Sequence, residues 1–352
     1  MTVDTEPTSA SDSGGDGGPT EEAPAPSRSP RRASGAGRFL LFKLGRAVLV
    51  VMAATMLTQW VLELAPGGVS ATILGEAASP ENVAQLNQEL GLDRPFFARY
   101  FEWAGNVLQG DLGNSPIDNR SVWDAITKAL PVTLELVFLA TVIALTLALV
   151  TAFVSARRPG GWVDRAFGGV TSAALSIPTF VLGPVLLYFL AVQSSIFPVT
   201  GWEPLSDGLA ANLETALLPA LFVAIPEFAV FQRLFRGDLV ATLDEDYIDA
   251  ARARGIGEGR IMLRHAFRPA SISLMTVTGI SIGRLLGGTV IVETLFVLPG
   301  LGSLLQQSIV KRDLIMVQGI VVFVAVAYVT INLLVDILYG VVDPRIRARA
   351  ER

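Results

Sequence analysis

Six long apolar segments most constrain what this chain can fold into. A helix needs about 20 residues to cross a hydrocarbon core of about 30 Å, and each segment reaches that length. The composition agrees, because 51% of the residues are hydrophobic, 17% are charged and the mean hydropathy is +0.52. The sequence therefore predicts an all-α membrane protein with six transmembrane helices. The segments are residues 40–64, 131–156, 168–192, 213–232, 270–296 and 314–341.

The basic residues between these segments predict how the helices are oriented. If the N-terminus is cytoplasmic, the cytoplasmic pieces hold 20 of the 27 Lys and Arg residues, and the external pieces hold 6. The densest interval, residues 233–268, holds seven Arg. Because cytoplasmic loops collect Lys and Arg, both termini and the 233–268 loop are expected in the cytoplasm. The inverted topology would place this basic loop outside, and the same rule disfavours it.

The two ends of the chain differ from the apolar region between them. Residues 1–38 are mostly Ser, Gly, Pro, Ala, Asp and Glu, which bury too little apolar surface to offset the entropy of ordering. We expect a disordered cytoplasmic tail there, a transmembrane domain over residues 39–345 and a short cytoplasmic tail at residues 346–352. A cleavable signal peptide is the rival interpretation. It is disfavoured because the polar stretch is too long and no small-residue cleavage site follows the first apolar segment.

Residues 65–130 form a long connection that is expected to fold outside the membrane. One helical pattern opens at Pro80 and closes at Gly91, and another starts at Pro95 and runs past Trp103. Two short amphipathic helices are therefore predicted. Two roles remain open for this external subdomain: it shields the membrane domain, or it offers a docking surface to an external protein.

A polar segment, residues 246–260, separates the fourth and fifth apolar segments. Ala250 and Ala251 are strong helix formers, whereas Gly255 is a poor one that lets the backbone turn. We expect a short helix that ends near Gly255. Small Ala side chains allow a partner surface to approach closely. The alternative interpretation is a solvated loop without a partner.

The third and fifth apolar segments contain residues that interrupt the hydrophobic pattern. Pro178 lies between Ser and Thr residues in the third segment and predicts a kink. Helix packing is the favoured explanation of this kink, and a transport path is the alternative. In the fifth segment, glycines recur at four-residue spacing and predict a close contact with another helix. These glycines are Gly279, Gly283 and Gly287.

Arg284 is a charged residue within the fifth segment, where insertion costs at least about 2.5–3.5 kcal/mol. It therefore needs an anion or water. Glu227 in the fourth segment is a candidate partner, although the sequence alone does not show that the two side chains face each other. One interpretation is a buried ion pair that joins the two helices. The other is a cation that lines an aqueous path along which a carboxylate passes.

The polar segment and four other stretches together resemble the permease subunits of ATP-binding cassette importers for dipeptides, oligopeptides and nickel. Residues Asp249, Ala250 and Ala251, followed after three residues by Gly255, are similar to the EAA signature of this family, with Asp in place of Glu. Arg284 departs from the small or polar residue that the family carries at that position. The resemblance covers roughly residues 39–347; the other matching stretches are 64–67, 178–180 with 198–201, 287–302 and 332–345.

The resemblance implies a six-helix type I permease in a bacterial cytoplasmic membrane. Such a subunit pairs with a second homologous permease, two ATPase subunits and an external solute-binding protein, for which the 65–130 subdomain would be the docking surface. ATP–Mg would be bound by the ATPases and not by this chain, and the cargo would be di- or oligopeptides, with nickel or another small solute as the open alternative. The ATPase-docking residues would be Asp246, Tyr247, Asp249, Ala250, Ala251, Arg254 and Gly255. The candidates for a path or gate are Pro178, Glu227, Arg284 and Glu293.

Residues suited to catalysis or metal binding are scarce in this sequence. Cys is absent and His265 is the only His, so neither a catalytic nor a metal site based on these residues is expected. No phosphate-binding G-x-x-x-x-G-K-S/T loop occurs, and a net charge of −5 argues against nucleic acid as a partner. A non-enzymatic subunit is therefore favoured. A self-sufficient channel or secondary transporter would be expected to show inverted repeats and several intramembrane ionisable groups, and a membrane-embedded enzyme is disfavoured further.

Overall fold

The structure is a computed structural model that describes residues 34–64, 68–89 and 91–342. These residues are mainly helical, and the only pairing of extended backbone among them is an isolated bridge between Asn114 and Ser121. The predicted tails fall largely outside the described residues. The first helix begins at Ser34, so the last five residues of the predicted N-terminal tail, 34–38, belong to that helix.

Short turns separate helices of very different lengths. Residues Leu187–Gln193 and Ile261–Ala266 form wider π-helical turns within two of the longer helices. The helices are α1 (Ser34–Glu63), α2 (Gly68–Leu74), α3 (Pro80–Glu89), α4 (Phe96–Leu108), α5 (Val122–Ala156), α6 (Trp162–Ser176), α7 (Thr179–Gln193), α8 (Leu209–Leu243), α9 (Asp246–Ala253), α10 (Glu258–Gly288), α11 (Val290–Leu295), α12 (Leu301–Val310) and α13 (Leu314–Val342).

The membrane spans follow the predicted apolar segments with three differences. Among the described residues, α5, α8, α10 and the Leu314–Val335 part of α13 are each long and apolar enough to cross a membrane. Helices α6 and α7 reach that length only together and are bent by 106°, and α1 contains a shorter apolar stretch, Val48–Val61. The predicted 270–296 span is divided, because α10 ends at Gly288 and α11 follows as a separate helix.

The bend between α6 and α7 is a complete break, where the sequence predicted a kink. Ile177 has an extended backbone, with ψ of 121°, and Pro178 follows with ψ of 136°. Proline disfavours the helical conformation in the residue before it, so α6 ends at Ser176. The Ser176 hydroxyl donates to the Ser172 carbonyl at 2.8 Å, one turn earlier in α6. The chain then restarts as α7 in a new direction.

The bundle is centred on the contact between α5 and α8. Along α5, alanines at four-residue spacing are fully buried, and α8 contributes Ala220 and Ala224 to the same core. Small side chains on one face let two helix backbones approach closely. The α5 alanines are Ala140, Ala144, Ala148 and Ala152. Near the C-terminal ends of α5 and α8, the rings of Phe153 and Phe235 pack with that of Phe267 in α10. The ring centroids are 5.6–5.9 Å apart.

The connection between α1 and α5 contains the two predicted amphipathic helices, which the structure confirms as α3 and α4. Tyr100 of α4 is 1% exposed. Its hydroxyl hydrogen-bonds the Thr55 hydroxyl at 2.9 Å and donates to the Met52 carbonyl at 3.0 Å. These bonds fasten α4 to α1.

Candidate functional site

The polar loop between α8 and α10 forms a helix and a sharp stop, as the sequence predicted. Asp246 and Asp249 lie in the first turn of α9, where negative charge is favourable to the helix dipole. At the other end, the Ile256 N–H donates to the Ala251 carbonyl at 3.2 Å and the Gly255 N–H to the Arg252 carbonyl at 2.9 Å. This pair of bonds is a Schellman motif, whose left-handed position is Gly255 at φ of +78°.

Most of the predicted docking residues lie on the outer surface of this loop, but one does not. Asp246, Tyr247, Asp249, Ala250, Arg254 and Gly255 are exposed. Ala251 is buried and packs with Ile248 into the core of the bundle. Ala251 therefore fastens α9 to its own chain, and the remaining six residues present an outward surface.

Tyr247 links the start of α9 to α10. Its hydroxyl donates to the His265 carbonyl at 3.4 Å. Burial, with a smaller contribution from the Glu245 carboxylate, raises the pKa of Tyr247 above its usual value. The hydroxyl therefore stays protonated and able to donate.

Arg252 is a functional candidate that sequence reasoning missed. Its Nε donates to Glu258 Oε1 at 2.9 Å, and a terminal nitrogen donates to Asp249 Oδ1 at 2.9 Å. The two carboxylates, Glu258 more than Asp249, raise the pKa of the Arg252 guanidinium. These bonds connect α9 to the first turn of α10 across Gly255. The sequence signal is an acidic residue three positions before Arg252 and another just beyond the glycine turn.

A cavity of about 590 Å³ lies beside this turn, between the ends of α5 and α8 and the start of α10. Charged residues of both signs line it, namely Arg157, Asp244, Arg252 and Glu258. One helical turn before Val240, which also lines the cavity, Arg236 of α8 makes a two-pronged ion pair with Asp164 of α6, at 3.0 and 2.6 Å. The ion pair fixes the start of the bent α6–α7 unit to α8.

Glu293 of α11 is fully buried in a hydrogen-bond network that joins three helices. Its Oε1 accepts from the hydroxyls of Thr133 at 2.8 Å and Thr289 at 2.7 Å, and its Oε2 accepts from the Ser303 N–H at 3.0 Å. Thr133 also accepts from the Leu301 N–H at 2.8 Å. The carboxylate therefore holds α11 and the start of α12 against α5.

Two glycines make room for this carboxylate. A Cβ atom at Gly300 would overlap the Glu293 carboxylate, and a Cβ at Gly302 would lie 2.6 Å from the Cα of Val290. Real Cβ atoms do not approach other atoms so closely. Gly300 and Gly302, in the 287–302 stretch that carried the family resemblance, thus have a packing reason.

Glu227 and Arg284 face each other, which the sequence alone left open. An Arg284 terminal nitrogen lies 2.6 Å from Glu227 Oε1. The Glu227 side chain is 5% exposed, whereas that of Arg284 is 62% exposed. The second oxygen, Glu227 Oε2, is buried and has no hydrogen-bond partner in the described part of the chain. An ion pair joins α8 to α10, and most of the guanidinium remains accessible.

The structure distributes the four path or gate candidates over three places. Glu227 and Arg284 form one pair, Glu293 belongs to the network with Thr133, and Pro178 is exposed at the break between α6 and α7. The glycines Gly279, Gly283 and Gly287 face α13, where added Cβ atoms would meet Val335, Tyr328 and Val324. Within residues 34–64, 68–89 and 91–342, no three His, Asp or Glu residues are grouped so that they could hold a metal ion.

Family models match almost the whole chain. Residues 140–348 match the binding-protein-dependent transport system inner membrane component, and residues 37–137 match the N-terminal region of such membrane components. A chain of the MetNI methionine ABC transporter, solved in inward-facing conformations, has a TM-score of 0.51 at 17% identity. The match covers 62% of this chain and 96% of that one, which supports the fold.

Curated relatives cover a similar extent. A putative peptide transport system permease protein of Brucella abortus (strain 2308) is 36% identical over 88% of this chain and 98% of its own length. The dipeptide transport system permease protein DppB of Escherichia coli (strain K12) is 34% identical, with the same coverage of both chains. The chain therefore belongs to the family of binding-protein-dependent transport system inner membrane components and has the fold of a type I ABC transporter permease.

Proposed function

We propose that this chain is a permease subunit of an ATP-driven peptide importer and forms half of the translocation path. The observation that carries the proposal is the similarity to peptide and dipeptide permeases over 88% of the chain. A second, homologous permease supplies the other half of the path. Two ATPase subunits bind and hydrolyse ATP–Mg, and an external solute-binding protein delivers the peptide. This chain itself hydrolyses nothing and binds no cofactor.

The proposed topology places both termini and the α9 loop in the cytoplasm. It is supported by the uneven distribution of the 27 Lys and Arg residues. In this arrangement, the connection that contains α3 and α4 is external and can receive the solute-binding protein. The Glu293 network then lies toward the outer side, where it braces the external gate.

The proposed contact with an ATPase is the outward surface of α9. Asp246, Tyr247, Asp249, Ala250 and Arg254 supply this surface, and the buried Ala251 and Ile248 anchor it to the bundle. Because Arg252 bonds to residues on both sides of the Gly255 turn, α9 and the first turn of α10 move together; we call residues 246–260 the elbow. The packed rings of Phe153, Phe235 and Phe267 and the Arg236–Asp164 ion pair then transmit a displacement of α9 to α8 and to the bent α6–α7 unit.

Replacement of Gly255 tests this docking proposal. Gly255→Val places a β-branched residue at φ of +78°, which costs about 1–2 kcal/mol locally and should displace the elbow. In vesicles that contain the partner subunits, we expect peptide uptake driven by ATP to fall at least about tenfold, and the ATPases to co-purify less. Gly259→Val is the matched control, because Gly259 is exposed, has open space around its Cα and lacks a positive φ.

Comparison of the Gly255→Val and Gly259→Val variants shows whether the effect is specific to the Gly255 turn. If Gly255→Val retains normal uptake and ATPase association, the docking surface lies elsewhere. Peptide uptake by the unmodified chain that persists without ATPase subunits would contradict the importer proposal itself.

A further inference from the structure

The exposed guanidinium of Arg284 borders an apolar cavity. The cavity has a volume of about 370 Å³ and lies between α1, α10, α12 and α13. Among the described residues that line it, Arg284 is the charged one and Tyr328 carries a hydroxyl; the others include Val50, Leu305, Ile320 and Val324. Small-molecule sites in proteins are commonly 300–1,000 Å³, mostly apolar and equipped with few polar groups. The cavity fits that description.

Arg284 has donors to spare at this cavity. One terminal nitrogen is bound to Glu227, while 62% of the side chain remains accessible. A guanidinium carries five N–H donors in a planar fork whose geometry matches a carboxylate. The buried Glu227 carboxylate binds one terminal nitrogen of the guanidinium, and the other N–H groups are left for a second anion.

The position of Arg284 along its helix narrows the choice of that anion. Fifteen uncharged residues separate Arg284 from Arg268, and eight separate it from Glu293. Fifteen helical residues extend about 23 Å, a large part of a hydrocarbon core of about 30 Å. A phosphate of the cytoplasmic leaflet is therefore far from Arg284. An accessible cation at such depth requires water or an anionic ligand.

We propose that Arg284 and this cavity bind the C-terminal residue of the peptide in transit. The guanidinium pairs with the free α-carboxylate, and the apolar cavity receives the last side chain. Glu227 acts as the positioning residue for the guanidinium. This inference rests on the proposed function. It adds a specificity rule, since a peptide with a free carboxylate and an apolar last residue fits the site best.

Photo-labelling tests the site directly. The probe is the dipeptide alanyl-photo-leucine, whose diazirine lies on the apolar last side chain, and its C-terminal amide is the comparison. Both are applied to the assembled importer in lipid nanodiscs without the binding protein, so that the binding protein does not select between them. Labelled residues are identified by mass spectrometry. ATP-driven uptake by the same assembly, with the binding protein added, is measured separately.

We expect the acid to label cavity residues such as Val324 and Tyr328, and the amide to label them at least about tenfold less, since hydrogen bonds to charged groups are strong. Arg284→Gln should reduce labelling by the acid to the level of the amide. Because Arg284→Gln leaves Glu227 buried without its partner, the double variant Glu227→Gln/Arg284→Gln removes both charges together. Arg236→Gln breaks a comparable ion pair elsewhere and should preserve the preference for the acid.

Three results would overturn the inference. The first is equal labelling by acid and amide, as expected if a carboxylate of the second permease occupied Arg284. The second is a preference for the acid that survives in the double variant. The third is the absence of label from the cavity. Each of these results counts against the inference when the unmodified assembly imports peptides with ATP. Loss of that import in the unmodified assembly would instead contradict the proposed function.

Discussion

At the scale of single residues, the glycines of this chain serve two different physical purposes. Gly255 is needed for its backbone conformation, because its φ is +78° and a Cβ there would meet open space. Gly300 is needed for its size, because a Cβ there would overlap the Glu293 carboxylate. The sequence suggested the first role from the neighbouring helix formers. It could not suggest the second, because Gly300 and Glu293 meet only in the folded chain.

This difference predicts the effect of Gly300→Ala. Overpacking a filled site costs about 1–3 kcal/mol, and the displaced carboxylate would also lose hydrogen bonds from Thr133 or Ser303. We expect a clearly lower unfolding temperature in detergent. Gly288→Ala is the control in the same stretch, since its Cβ would meet nothing within 4 Å and alanine favours a helix. An unchanged unfolding temperature for Gly300→Ala would show that the network can relax.

At the scale of elements, the connection between α9 and α10 depends on side-chain contacts across the Gly255 turn. The helix and its stop at Gly255 followed from propensity alone. Propensity did not predict the Arg252 bonds to Asp249 and Glu258. It also did not predict the ion pair of Arg236 with Asp164 or the 106° break between α6 and α7. Proline predicts that a helix is interrupted, but the direction in which the chain continues depends on the packing around it.

Arg252→Gln should loosen this elbow without unfolding the protein. Exposed ion pairs contribute about 0–1 kcal/mol each, so the unfolding temperature should change little. The backbone amides of Arg260 and Ile261, which donate to the Gly257 carbonyl, should nevertheless exchange hydrogen several-fold faster, because the first turn of α10 loses its link to α9. Arg254→Gln is the matched control, since Arg254 makes no ion pair within the described residues. Equal exchange in both variants would mean that the Arg252 bonds do not hold the elbow.

At the scale of the whole chain, the apolar segments predicted the helical membrane fold, but hydropathy does not reveal whether α6 and α7 cross the membrane. Three spans between the α3–α4 connection and the α9 loop put these regions on opposite sides. Two spans and a re-entrant pair would put them on the same side. The family fold favours the first arrangement, which the bend of 106° makes worth testing directly.

The absence of Cys makes that test simple. Asp93→Cys and Ala253→Cys each introduce a single thiol at an exposed position, one before α4 and one at the end of α9. In intact cells, a maleimide that does not cross membranes should label Asp93→Cys and leave Ala253→Cys unlabelled; in inverted vesicles the pattern should reverse. Labelling of both from the same side would assign α6 and α7 to a re-entrant pair.

The length of α8 has a consequence for how a partner reaches this protein. Its 35 residues extend about 52 Å, whereas the hydrocarbon of a bilayer is about 30 Å thick. Even a strongly tilted α8 is therefore longer than the hydrocarbon core, and it continues directly toward α9. A soluble partner can therefore reach α9 outside the hydrocarbon core, at the level where charged side chains are readily accommodated.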